Sequence, residues 1–232
     1  MASNLRVVIA AAGQGSRMKT RVNKQFILLK THPVLAYSLD FFEKQDMVDE
    51  IVVVTSEKEV DYCQREIVDK FRYRKVSAVL PGGRERQDSV WEGLKHLSPD
   101  TDFVAVHDGA RPLLSSDVLQ RLLNEAREWG AAIPGVASKD TLKMVDKDSF
   151  VRQTIDRSMV YSIQTPQVFL YSELREAYQL AYEENYYATD DAALFEKYIG
   201  RVKVVAGDYN NIKITTPEDL MIARSLLEGR EE

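Results

Sequence analysis

Short runs of β-branched and apolar residues recur along the chain, each closed by a turn and followed by a longer stretch with helical spacing. The runs are RVVIA from Arg6, EIVVVTS from Glu50, KVSAVLPGG from Lys75, DFVAVHDGA from Asp102 and AAIPGVA from Ala131. Unbroken apolar runs of about five residues imply strands buried on both faces, as in a parallel sheet covered by helices. Between them, Val34 to Glu43, Glu57 to Lys70, Asp88 to Leu97 and Asp117 to Trp129 carry apolar residues at amphipathic spacing. This alternation predicts an α/β fold with a mostly parallel sheet and right-handed crossovers.

The rhythm breaks after Ala137. The stretch SKDTLKMVDKDSFVRQTIDRSMVYSIQTPQVF alternates polar and apolar positions, with turn chemistry at Asp146-Lys147-Asp148. It predicts an antiparallel excursion, a β-arm over about 138–165, and not another βα unit. Helical spacing resumes at Tyr171 to Glu184 and Ala192 to Tyr198. Thr216 is placed to cap a last helix, with Pro217 at its first position and acids behind. No repeat, low-complexity tract or linker divides the 232 residues, so one domain with an inserted arm is expected.

Composition narrows the partners. The 31 Lys+Arg against 36 Asp+Glu leave a net charge of -5, and 44% of residues are apolar. That balance argues against a nucleic-acid-binding surface. Cys63 is the one cysteine, which excludes an internal disulfide framework and fits a reducing cytosol. No apolar stretch approaches the ~18 residues of a membrane span, and the run at Val7 is too short for a signal peptide. A cytoplasmic enzyme-sized domain is expected.

Against this acidic background, AAAGQGSRMKTRVNKQ places Arg17, Lys19, Arg21 and Lys24 directly behind a glycine loop. Ligands of open α/β sheets bind at the carboxyl ends of strands, where this loop leaves the first run. Gly13 and Gly15 permit close approach of backbone N–H groups to an anion. The dinucleotide fingerprint is missing, because Met18 stands where its third glycine belongs, and a P-loop Gly-Lys-Ser/Thr is absent. Two glycines alone fit a plain turn equally well. With Arg17 and Lys24 beside them, the loop has the amides, guanidinium and ammonium that a triphosphate requires. Lys19 and Arg21 are expected to be solvated.

AAAGQGSRM followed by NKQ, then PGGRERQDSV, VHDGARP, DTLK, TIDR, TPQVF, TDDAA and NNIKITTPEDL, occur in this order over nearly the whole chain. Together they resemble the 2-C-methyl-D-erythritol 4-phosphate cytidylyltransferase family of the non-mevalonate isoprenoid pathway. Two departures are visible: Asn23 stands where that family usually has proline, and Gly109 where alanine is common. Neither removes a charge.

The resemblance implies a Rossmann-like nucleotidyltransferase sheet. It also implies transfer of CMP from CTP to methylerythritol phosphate, releasing pyrophosphate, by in-line attack of the substrate phosphate on the α-phosphorus. No protein nucleophile is then needed, which suits a chain without a serine–histidine triad signature. The implied roles are transition-state stabilisation by Arg17 and Lys24, and positioning of the phosphates by Lys213. The nucleotide would lie on Ala11, Ala12, Gly13, Gly15, Gly82, Gly83, Ser89 and Asp108. Unaided, PGGRERQDSV reads only as a turn with Ser89 opening a helix, and Lys213 as a lysine on an apolar strand. Asp108 either caps a turn or contacts ribose or Mg²⁺ (or another divalent cation). Arg111 either bonds the incoming phosphate or braces the loop through Asp108, and His107 packs.

An arm with apolar alternation exposes hydrophobic area unless it meets another chain. The resemblance supplies a homodimer, each arm delivering Thr141 and Arg157 to the neighbour's alcohol-phosphate pocket, with Thr165 and Thr189 lining it. Asp190 and Asp191 read either as substrate contacts or, more simply, as helix N-terminal acids. Rival expectations are a cytidylyltransferase for another alditol phosphate, such as ribitol 5-phosphate, and a non-catalytic nucleotide-binding regulatory module. The glycine pattern disfavours a nicotinamide dehydrogenase.

Overall fold

Strand β1 (Leu5–Ala11) leads through a single 3-10 turn, Lys24–Phe26, and a small hairpin, β2 (Leu28–Leu29) with β3 (His32–Pro33), into α1 (Val34–Glu43). Strand β4 (Val48–Thr55) precedes α2 (Val60–Tyr62), which continues as a π-helix over Cys63–Asp69. Then come β5 (Val76–Pro81), α3 (Arg86–His96), β6 (Phe103–Asp108), α4 (Ser116–Trp129) and β7 (Ala131–Ala137). The next four strands have no α-helix between them: β8 (Leu142–Val145), β9 (Val151–Ile155), β10 (Tyr161–Ile163) and β11 (Gln167–Leu170). After them follow α5 (Tyr171–Glu183), α6 (Asp191–Tyr198), β12 (Lys203–Ala206) and α7 (Pro217–Glu231). This computed structural model describes residues 4–13, 18 and 23–231, without the side chains of 230 and 231.

The main sheet is parallel through β5, β4, β1 and β6, and β11 then enters antiparallel between β6 and β7. Strand β7 has one edge shared by two segments. β11 pairs with it at Ala131 and Ala132, and β10 at Gly135 to Ala137, while β12 runs parallel along the opposite edge. The excursion predicted from alternation therefore has two parts. β8 and β9 form a separate antiparallel hairpin, turned at Asp146, whose Oδ1 accepts from Asp148 N and Phe150 N at 3.0 Å each. β10 and β11 return the chain to the main sheet.

Period-two burial explains the layering. Leu5, Val7 and Ile9 of β1, Ile51 and Val53 of β4, and Phe103 and Ala105 of β6 pack with Leu35, Leu39 and Phe42 of α1 and Leu119 and Leu122 of α4. The alternate residues Val8, Val52, Val54, Val104 and Val106 pack on the other face with Val90 and Leu94 of α3, Leu174 and Tyr178 of α5 and Phe195 of α6. The runs of β1, β4 and β6 are thus strands buried on both sides, whereas the run at Lys75 forms β5 at the sheet edge, where one neighbouring strand leaves it only partly buried.

Local chemistry sets the helix ends. Asp219 N donates to Thr216 Oγ1 at 3.3 Å, and Asp219 Oδ2 accepts from Thr215 N and Thr216 N. That is the expected cap of α7. Gly130 closes α4 in the left-handed region, with φ 80. Two sequence readings need correction. Helix α3 opens at Arg86, capped reciprocally by Glu85 and Asp88, so Ser89 lies inside its first turn and does not begin it. Residues 211–215 form a loop, not a strand, because Arg111 and Thr165 take Asn211's polar groups and α7 starts directly behind.

Candidate active site

Strands β1, β4, β5 and β6 all end at the same edge of the sheet. Their following loops enclose a cleft of about 440 Å³, a volume in the range of small-ligand sites. Ala11, Ala12 and Gly13 come from the end of β1, Ser56 and Glu57 follow β4, and Gly82 to Arg86 follow β5. Asp108 stands at the end of β6, and Ser89, Lys24 and Lys213 complete the wall. Gly82 is required sterically: a Cβ there would sit 2.6 Å from Ser89 Oγ and 2.8 Å from the Ala12 Cβ. The backbone of the β5 loop therefore passes close to β1 without a side chain between them.

Charge at the cleft floor centres on Asp108. Lys213 Nζ lies 2.7 Å from its Oδ2, Arg86 Nε 3.3 Å from its Oδ1, and Arg111 Nε 3.8 Å from Oδ2. Burial alone would raise this carboxyl, but Arg86 and Lys213 outweigh it and hold Asp108 well below the usual carboxylate range. Arg86 reaches further, to Asp191 Oδ2 at 2.8 Å, and Tyr178 OH donates to Asp191 Oδ1 at 2.5 Å. Burial opposes the Arg86 charge, and Asp191 and then Asp108 restore it, raising its pKa above the ordinary value.

Lys24 Nζ donates to the main-chain carbonyl of Ile214 at 3.0 Å. Cations from segments 190 residues apart therefore converge, since Ile214 follows Lys213. The turn carrying Lys24 is held on two further sides. Gln25 Nε2 donates to the Ala11 carbonyl, and the Phe26 ring meets Tyr62 edge-on at 5.0 Å.

The remaining expected residues fall in different places. Gly15 and Arg17, with Lys19 and Arg21, lie outside the described residues. Arg111 is seen bracing: its Nη1 donates to Asn211 O at 2.7 Å, and it does not line the cleft. Thr165 is buried behind Asp108, its Oγ1 accepting from Asp108 N at 3.0 Å. Thr189 sits in a small separate pocket with Arg86, Tyr178 and Asp191. The two threonines thus do not share one pocket within this chain. Thr141 and Arg157 are exposed on the arm, where Arg157 Nη1 donates to Lys139 O at 2.7 Å. Asp190 is the helix cap expected, accepting from Ala193 N, but Asp191 is fully buried as the partner of Arg86.

His107 packs, as expected. Its Nε2 lies 3.2 Å from Arg111 O, its Nδ1 3.2 Å from Thr165 Oγ1, and Phe42 meets its ring edge-on. Burial pushes the imidazole down to about 4, with Asp108 opposing. The unfolded chain takes up this proton near pH 6.5, and the folded chain does so only near 4. Stability from this group is complete above pH 6.5 and falls through that window, by up to about 3 kcal/mol. Urea unfolding between pH 7 and 4 should show this decline, and His107→Gln should flatten it.

Sequence reasoning missed Arg86, Asp191 and the wall residues Ser56 and Glu57. One signal was available for Arg86: it lies three residues before Ser89, so both share a face of α3.

A family model described as IspD, 2-C-methyl-D-erythritol 4-phosphate cytidylyltransferase, matches residues 5–229. The chain belongs to this family. A relative of that name from Pelotomaculum thermopropionicum is 46% identical over 224 residues, covering 97% of this chain and 94% of its own. Another, from Clostridium acetobutylicum, is 44% identical over 220 residues, covering 95% and 96%. Among solved structures, 4-diphosphocytidyl-2C-methyl-D-erythritol synthase from Anaerococcus prevotii superposes with a TM-score of 0.86 at 35% identity, covering 98% of this chain and 97% of its own. The family is one of nucleotidyltransferases, and neither the ribitol phosphate nor the regulatory-module reading is favoured by these similarities. Among the described residues no helix is long and apolar enough to cross a membrane.

Proposed function

We propose that this chain transfers CMP from CTP to 2-C-methyl-D-erythritol 4-phosphate, giving 4-diphosphocytidyl-2-C-methyl-D-erythritol and pyrophosphate. The observation that carries the reading is the convergence of Lys24 and Lys213 on one cleft at the carboxyl edge of the sheet. Family membership supports the same reaction.

A phosphate oxygen of the alcohol substrate forms a bond to the α-phosphorus as the bond to the β-phosphate oxygen breaks. The attacking oxygen's lone pair becomes the new P–O bond, and the pair of the broken bond leaves on pyrophosphate. The substrate is its own nucleophile, so the protein need supply none. Its task is alignment and charge compensation. Lys24 and Lys213 face the transferring phosphorus, and the family resemblance assigns Arg17, which lies outside the described residues, to the same charge compensation. The backbone of Ala11, Ala12 and Gly13 approaches the triphosphate, and the resemblance adds Gly15, also outside the described residues. Gly82, Gly83 and Ser89 hold cytosine, and unpaired polar groups would penalise a wrong base.

Asp108 is ionised and lies on the cleft wall. No cluster of three His, Cys, Asp or Glu that could hold a metal occurs among the described residues. One protein carboxylate with triphosphate oxygens and water fits Mg²⁺, which demands few protein ligands. Bound there, the ion would neutralise phosphate charge; the protein's own contribution is the carboxylate that holds it.

The arm supports a homodimer. Met144, Val145, Val151 and Tyr161 are about half exposed, and Phe150 and Met159 are 73% and 82% exposed. A second chain would cover this surface, and each arm would then deliver Thr141 and Arg157 to its partner, as the family resemblance implies. A cytoplasmic setting suits a chain whose single cysteine, Cys63, is a buried free thiol.

The test is pyrophosphate release from CTP and Mg²⁺ with each alcohol phosphate in turn. Methylerythritol phosphate should serve and ribitol 5-phosphate should not; preference for the latter would overturn the assignment. Chains carrying Arg157→Ala and Lys24→Ala should each be weak alone. Mixed, they should recover activity in the heterodimer that retains one intact site, and no recovery would refute sharing of the arm.

A further inference from the structure

Asn23 precedes Lys24 and opens the 3-10 turn Lys24–Phe26, yet its side chain makes no capping bond to that turn. Its Nδ2 instead donates to Glu59 Oε2 at 2.9 Å, across to the segment that follows β4. Ser56 Oγ donates to the same oxygen at 2.6 Å, and Ser56 lines the cleft. Asn23 Oδ1 is buried without a partner among the described residues. Turning the amide over would set this oxygen against the carboxylate, so Glu59 dictates its orientation.

We infer that Asn23 is a positioning residue for Lys24, tied through Glu59 to Ser56 in the cleft wall that follows β4. This inference rests on the reading of Lys24 as a group that faces the transferring phosphorus. An ammonium on four rotatable bonds must reach a transition state within a fraction of an ångström, so its backbone has to be held. Gln25 and Phe26 hold the far side of the turn. Asn23 holds the near side, by a hydrogen bond to a carboxylate, the stronger kind. Its backbone, at φ -63 and ψ 140, is one that proline adopts. The turn can therefore be held in either of two ways, by a side-chain tether or by a fixed φ.

That equivalence gives a test by exchange. Steady-state kinetics with CTP and methylerythritol phosphate should show kcat down about tenfold in Asn23→Ala, with KM for CTP within about twofold, as expected for a lost charge-assisted bond expressed in the transition state. Glu59→Ala should match it, and combining the two should add little. Asn23→Asp should be worse than Asn23→Ala, because like charges then face each other. Asn23→Pro should restore kcat, and Glu59→Ala should be harmless in that background.

A merely structural role would lower the unfolding midpoint while leaving kcat per folded molecule unchanged. Wild-type kcat in Asn23→Ala, or additive losses with Glu59→Ala, would overturn the inference. So would full damage from Glu59→Ala introduced into an active Asn23→Pro background. If Asn23→Pro does not fold, the alanine, aspartate and double variants still decide. Lys24→Ala is assayed in parallel. Normal turnover there refutes the role of Lys24 itself, whereas a crippled Lys24→Ala beside a silent Asn23→Ala refutes the tether alone.

Discussion

Lys213→Ala lowers kcat by on the order of 10² or more, the loss expected on removing one preorganised donor from a developing oxyanion. The argument starts from its place. Lys213 stands on a loop held by Arg111 and Thr165 through Asn211, and its Nζ is 2.7 Å from Asp108 while its side chain remains 38% exposed toward the cleft. It is therefore aimed and still free to meet a phosphate. A competing account makes it only the counter-ion of Asp108. On that account its removal leaves Arg86 and Arg111 beside the carboxylate, and stability would change while kcat per folded molecule would not. Single-turnover rates measured with urea unfolding separate the two. A rate within threefold of wild type would refute the role given to Lys213.

Arg86→Met destabilises the fold by about 3–5 kcal/mol, the cost of leaving a buried carboxylate without its partner. Asp108 would keep Lys213 and Arg111. Asp191 is fully buried and would keep, among its bonds to described side chains, that from Tyr178 OH. The penalty thus belongs mainly to Asp191. It follows that Arg86→Met combined with Asp191→Asn should recover a large part of the loss, because the stranded charge is gone. Equal destabilisation in the single and double variants would show that Arg86 acts through packing instead.

Both predictions concern pairings that differ greatly in how visible they were. The strands were visible because burial on both faces demands an unbroken apolar run, and β1, β4 and β6 each satisfy that demand locally. The arm was visible for a similar reason. Its apolar residues recur among polar ones after Ala137 without helical spacing, and Met144, Val145, Phe150 and Val151 are exposed in the single chain. Capping of α7 by Thr216 needs only three residues of context. The loop bearing Lys213 was misread as a strand because apolar Ile212 and Ile214 flank it. Its backbone groups are engaged from outside: Ile214 N donates to Ala110 O, and its carbonyl accepts Lys24.

PGGRERQDSV shows most directly where local reading stops. It offers two arginines two residues apart, with identical chemistry. Arg84 has a side chain 92% exposed, whereas Arg86 is 29% exposed and bonded to carboxylates 22 and 105 residues away. Only the start of α3 at Arg86, fixed when the helix seats its apolar face on β1 and β4, selects between them, leaving Arg84 in the loop before the cap. The amino-acid order by itself determined the α/β alternation, the arm and the family, because each depends on spacing within one segment or on ordered motifs. The tertiary structure alone decided that Asp108 is the common partner of Arg86, Arg111 and Lys213, that Asp191 supports Arg86, and that Asn23 reaches Glu59. Such pairings need ångström-scale proximity between segments far apart in the chain, and only the packed sheet supplies it.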